Sequence, residues 1–145
     1  NVSACDISDE ALSVATENSL INKLDVDFFK ADILNWNIRE WPVYTLIVSN
    51  PPYVTVSEKK QMQRNVLDFE PETALFVDDD NPLLFYRTIA GFAIKQLDHG
   101  GLLFFEINEN FGPETVTMLC DQGFKEIRLL NDLQGKNRMG AARKP

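Results

Sequence analysis

Glycine is missing from the first ninety residues of this 145-residue chain; all seven glycines stand at or after Gly91. Glycine is what lets a backbone approach a phosphate closely and turn with positive φ, so no glycine-rich nucleotide loop lies in that stretch. Histidine occurs once, at His99, which leaves no histidine pair for a metal and one imidazole for acid–base work. His99 falls at the expected end of a helix, where it complements the dipole. Cys5 and Cys120 lie far apart and outside any metal-type spacing, so they read as reduced thiols filling small core positions rather than a zinc site or disulfide framework. Basic residues are in deficit: 14 Lys and Arg against 22 Asp and Glu give a net charge of −8, which disfavours broad binding to nucleic-acid phosphates. Residues 131–145 run the other way, with four basic side chains and one acidic. Apolar runs such as residues 101–107 fall far short of the ~20 residues of a membrane span, and no basic-then-apolar leader opens the chain. The expectation is a soluble, cytoplasmic protein with no membrane contact.

Apolar residues make up 44% of the chain beside 25% charged, and a domain of this length buries roughly two-thirds of its unfolded surface. Short β-rich runs alternate with amphipathic helical ones, the pattern of an α/β fold with a mostly parallel sheet. Strands are expected at residues 1–5, 26–29, 44–49 and 102–107; the third, with Leu46, Ile47 and Val48 in succession, reads as buried on both faces. Ser8 is a good N-cap for a first helix, with Asp9 and Glu10 in its first turn and Ala11, Leu12, Ala15 and Leu20 as its apolar face. A short surface helix is expected at 57–67. A longer one runs to about residue 97, capped by Asn81 with Pro82 at its first position and Phe85, Ile89, Phe92 and Ala93 on one face. A last helix at 114–122 closes at Gly123, and 124–130 with 139–144 form an antiparallel pair around a loop holding Gly135.

The opening strand, Asp6 and first helix look like the middle of a nucleotide-binding fold, in which an acid at the end of the second strand binds ribose hydroxyls about 20 residues after a glycine-rich turn. Asp6 fits that acid. The turn would precede residue 1, so the chain is expected to be a fragment lacking the fold's first strand and glycine-rich loop.

Asn50, Pro51, Pro52 and Tyr53 follow directly on the third strand, at the carboxyl edge where open α/β sheets place ligands. Pro51 pushes Asn50 toward extended angles, and the two prolines stiffen the corner while removing two N–H donors. The Asn50 side-chain oxygen and the Pro51 carbonyl can accept both hydrogens of a planar NH2 group, while the Tyr53 ring can cover its flat face. An amide or aryl amine is a poor nucleophile because its lone pair is delocalised; two acceptors aim that lone pair and offset the charge developing on nitrogen, without a strong base.

This Asn-Pro-Pro-Tyr run resembles the catalytic motif of S-adenosylmethionine-dependent amino-group methyltransferases. Asp6-Ile7-Ser8 with Ala11-Leu12, Asp32-Ile33, Val48-Ser49 before the motif and Val54 after it, Phe69-Glu70-Pro71 with Ala74-Leu75, and the closing Asp132, Gly135 and Arg138 resemble the release factor N5-glutamine methyltransferases, the HemK or PrmC family. The resemblance covers nearly the entire chain. It implies a Rossmann-like class I methyltransferase fold, with residues 1–145 as a partial, C-terminal catalytic domain. The N-terminal part of that domain and the helical domain that helps hold the protein substrate would be absent, and the piece by itself inactive. It further implies S-adenosylmethionine as cofactor, Asp6 on its ribose, Asp32 and Ile33 at its adenine, and Asn50 facing both methyl donor and substrate. The implied substrate is the glutamine of the Gly-Gly-Gln motif in peptide chain release factors.

The chain departs from that family at Phe76-Val77-Asp78-Asp79-Asp80, where a glycine-containing stretch is usual, and at Asn108, which stands two residues after Glu106 in place of a glycine. The three aspartates read as solvated loop acids, and no metal is expected. Two rival readings differ in class. An N6-adenine methyltransferase on DNA or RNA would face the same planar amine, though the acidic charge opposes it. A catalytically silent interaction module is the other: with its central strand absent, the sheet would expose edges, so the fragment is expected either to close the gap or to self-associate through them.

Overall fold

The computed structural model describes residues 1–62 and 70–145. They form two compact units, Asn1–Glu40 and Trp41–Pro145.

In the first unit, β1 (Ser3–Asp6) pairs in parallel with β2 (Asp27–Lys30), joined through α1 (Asp9–Ile21). Ser8 caps α1 as expected, its hydroxyl accepting from the Ala11 N–H at 3.2 Å. The helix has no basic residue in its last turn and buries none of its side chains. After β2, Asp32 caps a 3-10 segment over Ile33–Ile38. Cys5 is exposed on β1, against the expectation of a core position, because β1 has only one paired neighbour among the described strands.

In the second unit, β3 (Tyr44–Ser49) pairs in parallel with β6 (Leu97–Glu106), and β6 pairs antiparallel with β8 (Asn137–Arg143), which pairs antiparallel with β7 (Lys125–Asn131). A separate parallel pair, β4 (Val54–Thr55) and β5 (Phe76–Val77), flanks it. Helices are α2 (Glu72–Leu75), α3 (Leu84–Gln96) and α4 (Gly112–Asp121). This four-stranded sheet is thus mixed, one parallel pair followed by the expected C-terminal antiparallel hairpin, while both two-stranded sheets are parallel. The core is built by β6, where Leu97, Leu103 and Phe105 are buried, by Tyr86, Ile89, Ala90, Phe92 and Ala93 of α3, and by Met118 and Leu119 of α4. Tyr86 and Phe105 pack with ring centroids 5.5 Å apart, and Trp41 meets Phe92 edge-on at 4.8 Å.

Several expectations are corrected. β3 is not buried on both faces: Leu46 is 50% and Val48 70% exposed, since β3 is an edge of its sheet. The long helix starts at Leu84 rather than Pro82, because residues 81–84 close a turn in which the Leu84 N–H reaches the Asn81 carbonyl, and the Asn81 side chain accepts instead from Arg87. Its buried face then begins at Tyr86 rather than Phe85. His99 lies inside β6, exposed, because the strand begins at Leu97. Cys120 is exposed in the last turn of α4. The surface helix expected at 57–67 is a 3-10 segment over Val56–Gln61; its later part, including Val66 and Leu67, and Phe69 of the family resemblance lie outside the described residues.

Candidate active site

In the first unit, Asp6 and Asp32 both stand at carboxyl ends of neighbouring parallel strands, for Asp6 pairs with Lys30 two residues before Asp32. Asp6 uses one oxygen to accept the Ser8 N–H at 2.8 Å, and its other oxygen has no partner among the described residues. A fixed carboxylate with one open oxygen at a strand end suits a sugar diol. Asp32 is more committed: one oxygen accepts the Leu34 N–H at 2.9 Å, the other the Asn35 amide at 2.6 Å. The Ile33 N–H, at the first position of that helical turn, is one of the donors such a turn leaves over. Ile33 is half-buried beside it.

In the second unit, Asn50 follows the last residue of β3 and is exposed, its side chain making no hydrogen bond among the described residues. Pro51 beneath it is buried, while Pro52 and Tyr53 are half-buried. The Tyr53 hydroxyl donates to Glu106 Oε1 at 2.7 Å, which places the last residue of β6 under the motif. Burial, and then the hydrogen bond to Glu106 and its charge, push the Tyr53 phenol up to about 12, with Arg138 opposing. Arg138 on β8 also pairs with Asp132 at 3.5 Å and Glu109 at 3.7 Å. Arg138 thus meets the motif at the Tyr53 hydroxyl and Asp132 reaches it through Arg138, while Gly135, at φ 82°, makes the turn between Asp132 and Arg138.

A second set of contacts was not legible in the sequence. Asn108, only 5% exposed, donates through its amide to the Tyr53 carbonyl at 3.1 Å and to Glu58 Oε2 at 2.8 Å. Its backbone N–H reaches the Tyr86 hydroxyl at 3.0 Å, and its side-chain oxygen accepts the Asn110 N–H at 2.9 Å. Glu58 also takes the Thr55 N–H and the Asn110 amide. Burial opposes ionisation of Glu58, but the Thr55, Asn110 and Asn108 donors outweigh it and hold its carboxyl below the usual range. Asp79 of the three-aspartate loop accepts the Ser57 N–H at 3.0 Å, so it ties down the same strap. The only signal available in sequence was that Asn108 breaks the family pattern.

Among the described residues, no group of three or more His, Cys, Asp and Glu side chains is placed to hold a metal ion, and no helix is long and apolar enough to cross a membrane. His99 lies near the start of β6, at the opposite end of the strand from Glu106, so it takes no part at the motif.

No protein-family model matches the chain. Among curated proteins it is 44% identical over 139 residues to a release factor glutamine methyltransferase of Flavobacterium psychrophilum, covering 96% of this chain and 48% of that protein. It is also 44% identical over 138 residues to one of Bacteroides thetaiotaomicron, covering 95% and 50%. The chain therefore spans about half the length of these relatives. Among solved structures, a methyltransferase from Pyrococcus furiosus superposes with a TM-score of 0.68 at 15% identity, over 99% of this chain and 62% of its own. The N-methyltransferase NodS of Bradyrhizobium japonicum, solved with S-adenosyl-L-homocysteine, superposes at 0.59 and 14% identity, over 99% and 66%. The class I methyltransferase fold expected from the sequence is the fold observed.

Proposed function

Because the chain is, over about half their length, a relative of the release factor glutamine methyltransferases, we propose that the protein methylates the side-chain amide nitrogen of the glutamine in the Gly-Gly-Gln motif of a peptide chain release factor, with S-adenosylmethionine as methyl donor. The observation that carries this reading is the exposed, unengaged amide of Asn50 on a proline-stiffened corner at the end of β3. Asn50 Oδ1 and the Pro51 carbonyl accept the two hydrogens of the glutamine NH2 and turn its lone pair outward. As the nitrogen gains its fourth bond, the second to carbon, it becomes positive, and the same two acceptors stabilise that charge more than they stabilised the neutral amide. The proton that must then leave is acidic enough to pass to water, so no histidine is needed. S-adenosylmethionine, when bound, supplies the methyl on a sulfonium sulfur. Asp6 binds the donor's ribose hydroxyls with its open oxygen, and Asp32 with the Ile33 N–H lies at its adenine. Tyr53 covers the planar face of the amide with its ring, its hydroxyl being held by Glu106.

The test is to incubate the full-length protein with labelled methyl donor and a release factor, beside a release factor whose Gly-Gly-Gln glutamine is replaced. Label that disappears with the glutamine supports the reading. Label that persists on the altered factor, or passes to DNA or RNA in a steeply salt-dependent manner, overturns it.

A further inference from the structure

The two prolines that stiffen the acceptor corner also deprive it of anchors, since neither Pro51 nor Pro52 has an N–H to donate to the sheet. A corner that is rigid within itself can still rock as a body. What seats it is Tyr53, held at both ends by residues at the end of β6: the hydroxyl by Glu106 and the backbone carbonyl by Asn108. Asn108 is in turn saturated. Both hydrogens of its amide are committed, to Tyr53 and to Glu58, and its oxygen takes the Asn110 N–H. Two acceptors on one side of that amide and a backbone donor on the other leave only one orientation that satisfies every group. Glu58 ties Asn108 to the strap that follows the motif, because the same Oε2 also accepts the Thr55 N–H at 2.9 Å.

We propose that Asn108, held by Glu58, is a positioning residue for methyl transfer: it fixes the peptide after the double proline, and thereby the direction in which Asn50 and the Pro51 carbonyl present their lone pairs. This rests on the proposed function for its catalytic consequence but not for its structural one. Two acceptors aimed at one NH2 group must agree within fractions of an ångström, and misplacement by about 1 Å costs on the order of 100-fold in rate. Replacing Asn108 with aspartate keeps its size and its acceptor toward Asn110, yet sets carboxylate oxygens against the Tyr53 carbonyl and Glu58, so both donated bonds become repulsions.

The experiment uses the full-length protein and Asn108→Asp, with Glu58→Gln as a milder variant in case the first does not fold, as judged by circular dichroism. Tyr53 ionisation is read by phenolate absorbance in a rapid pH jump, as the difference between each protein and its Tyr53→Phe counterpart. In the folded variant the Tyr53 midpoint should fall from about 12 toward the ordinary 10, because a corner released at its carbonyl also loosens against Glu106. Steady-state kinetics should show kcat lowered roughly 10-fold or more with KM for the methyl donor unchanged. A folded variant whose Tyr53 titration does not move overturns the latch, whatever the enzyme's substrate. A shifted titration with unaltered kcat overturns the positioning role. A failure to methylate release factor even in the unaltered protein would overturn the proposed function and leave the titration result standing.

Discussion

Asn50 and Asp6 share the acidic-or-amide chemistry of an oxygen acceptor, but their positions divide the labour, and substitution should separate them. In the proposed reaction Asn50 acts on a nitrogen whose charge exists only in the transition state, so Asn50→Ala should lower kcat by ~100-fold while methyl-donor affinity measured by calorimetry changes little. In the same proposal Asp6 meets a ribose that does not change during the reaction, so Asp6→Ala should weaken donor affinity and leave kcat at saturation nearly intact. Equal losses in both quantities for Asn50→Ala would contradict its assigned role. Tyr53 gives a pH prediction with a definite sign. Its folded phenol is raised to about 12 from an ordinary 10, first by burial and then by Glu106. Below pH 10 both folded and unfolded chains keep the proton and the contribution is whole. Between 10 and 12 the unfolded chain sheds it while the folded one does not, so stability is lost as pH rises through that window. Denaturant midpoints should therefore fall more steeply from pH 10 to 12 in the unaltered protein than in Tyr53→Phe; parallel curves would refute the assignment.

Among the elements, those whose ends are written in local chemistry were readable in advance. Ser8 caps α1, and Gly123, at φ 93°, stops the chain after α4 in a left-handed conformation that other residues rarely adopt. Ser8→Ala should accordingly cost about 1 kcal/mol and Ser8→Gly only a few tenths, checked by urea unfolding; an alanine variant as stable as the original would mean the 3.2 Å bond to Ala11 contributes nothing. What was not readable depended on partners far along the chain. The apolar succession Leu46, Ile47 and Val48 specifies a strand but says nothing of its neighbours, so its exposure followed only from β3 standing at an edge. Asn81 looked like a cap because the local pattern favours one, yet Arg87 took its side chain and the turn before Leu84 delayed the helix. The candidate site divides the same way. Asn50 through Tyr53 could be found because strand, prolines and position are contiguous. The Glu58–Asn108–Tyr53 contacts join residues some fifty positions apart, and no periodicity encodes such a meeting.

For the whole molecule, the decisive feature is how unevenly burial is shared. No residue of Asn1–Glu40 is buried, whereas the second unit holds the entire described core. A two-stranded sheet with one helix is marginal by itself. The edge of β3 that pairs with no strand among the described residues, with Val48 70% exposed, offers backbone donors and acceptors that a further strand can satisfy. Self-association of this 145-residue chain is the expected consequence, and sedimentation showing a monomer at high concentration would dismiss it. The same unevenness bears on the methyl donor. The ribose and adenine contacts proposed for Asp6, Asp32 and Ile33 all come from the unit without a core, and no glycine before Gly91 lets backbone close on the donor. Ordering that unit around a ligand consumes part of the binding free energy, since each residue fixed costs on the order of 1 kcal/mol. The chain of 145 residues should therefore bind S-adenosylmethionine weakly, with little or no heat in calorimetry at micromolar concentrations. Micromolar affinity in the chain by itself would show that Asp6 and Asp32 are already held in place, and that the donor site needs nothing beyond these residues.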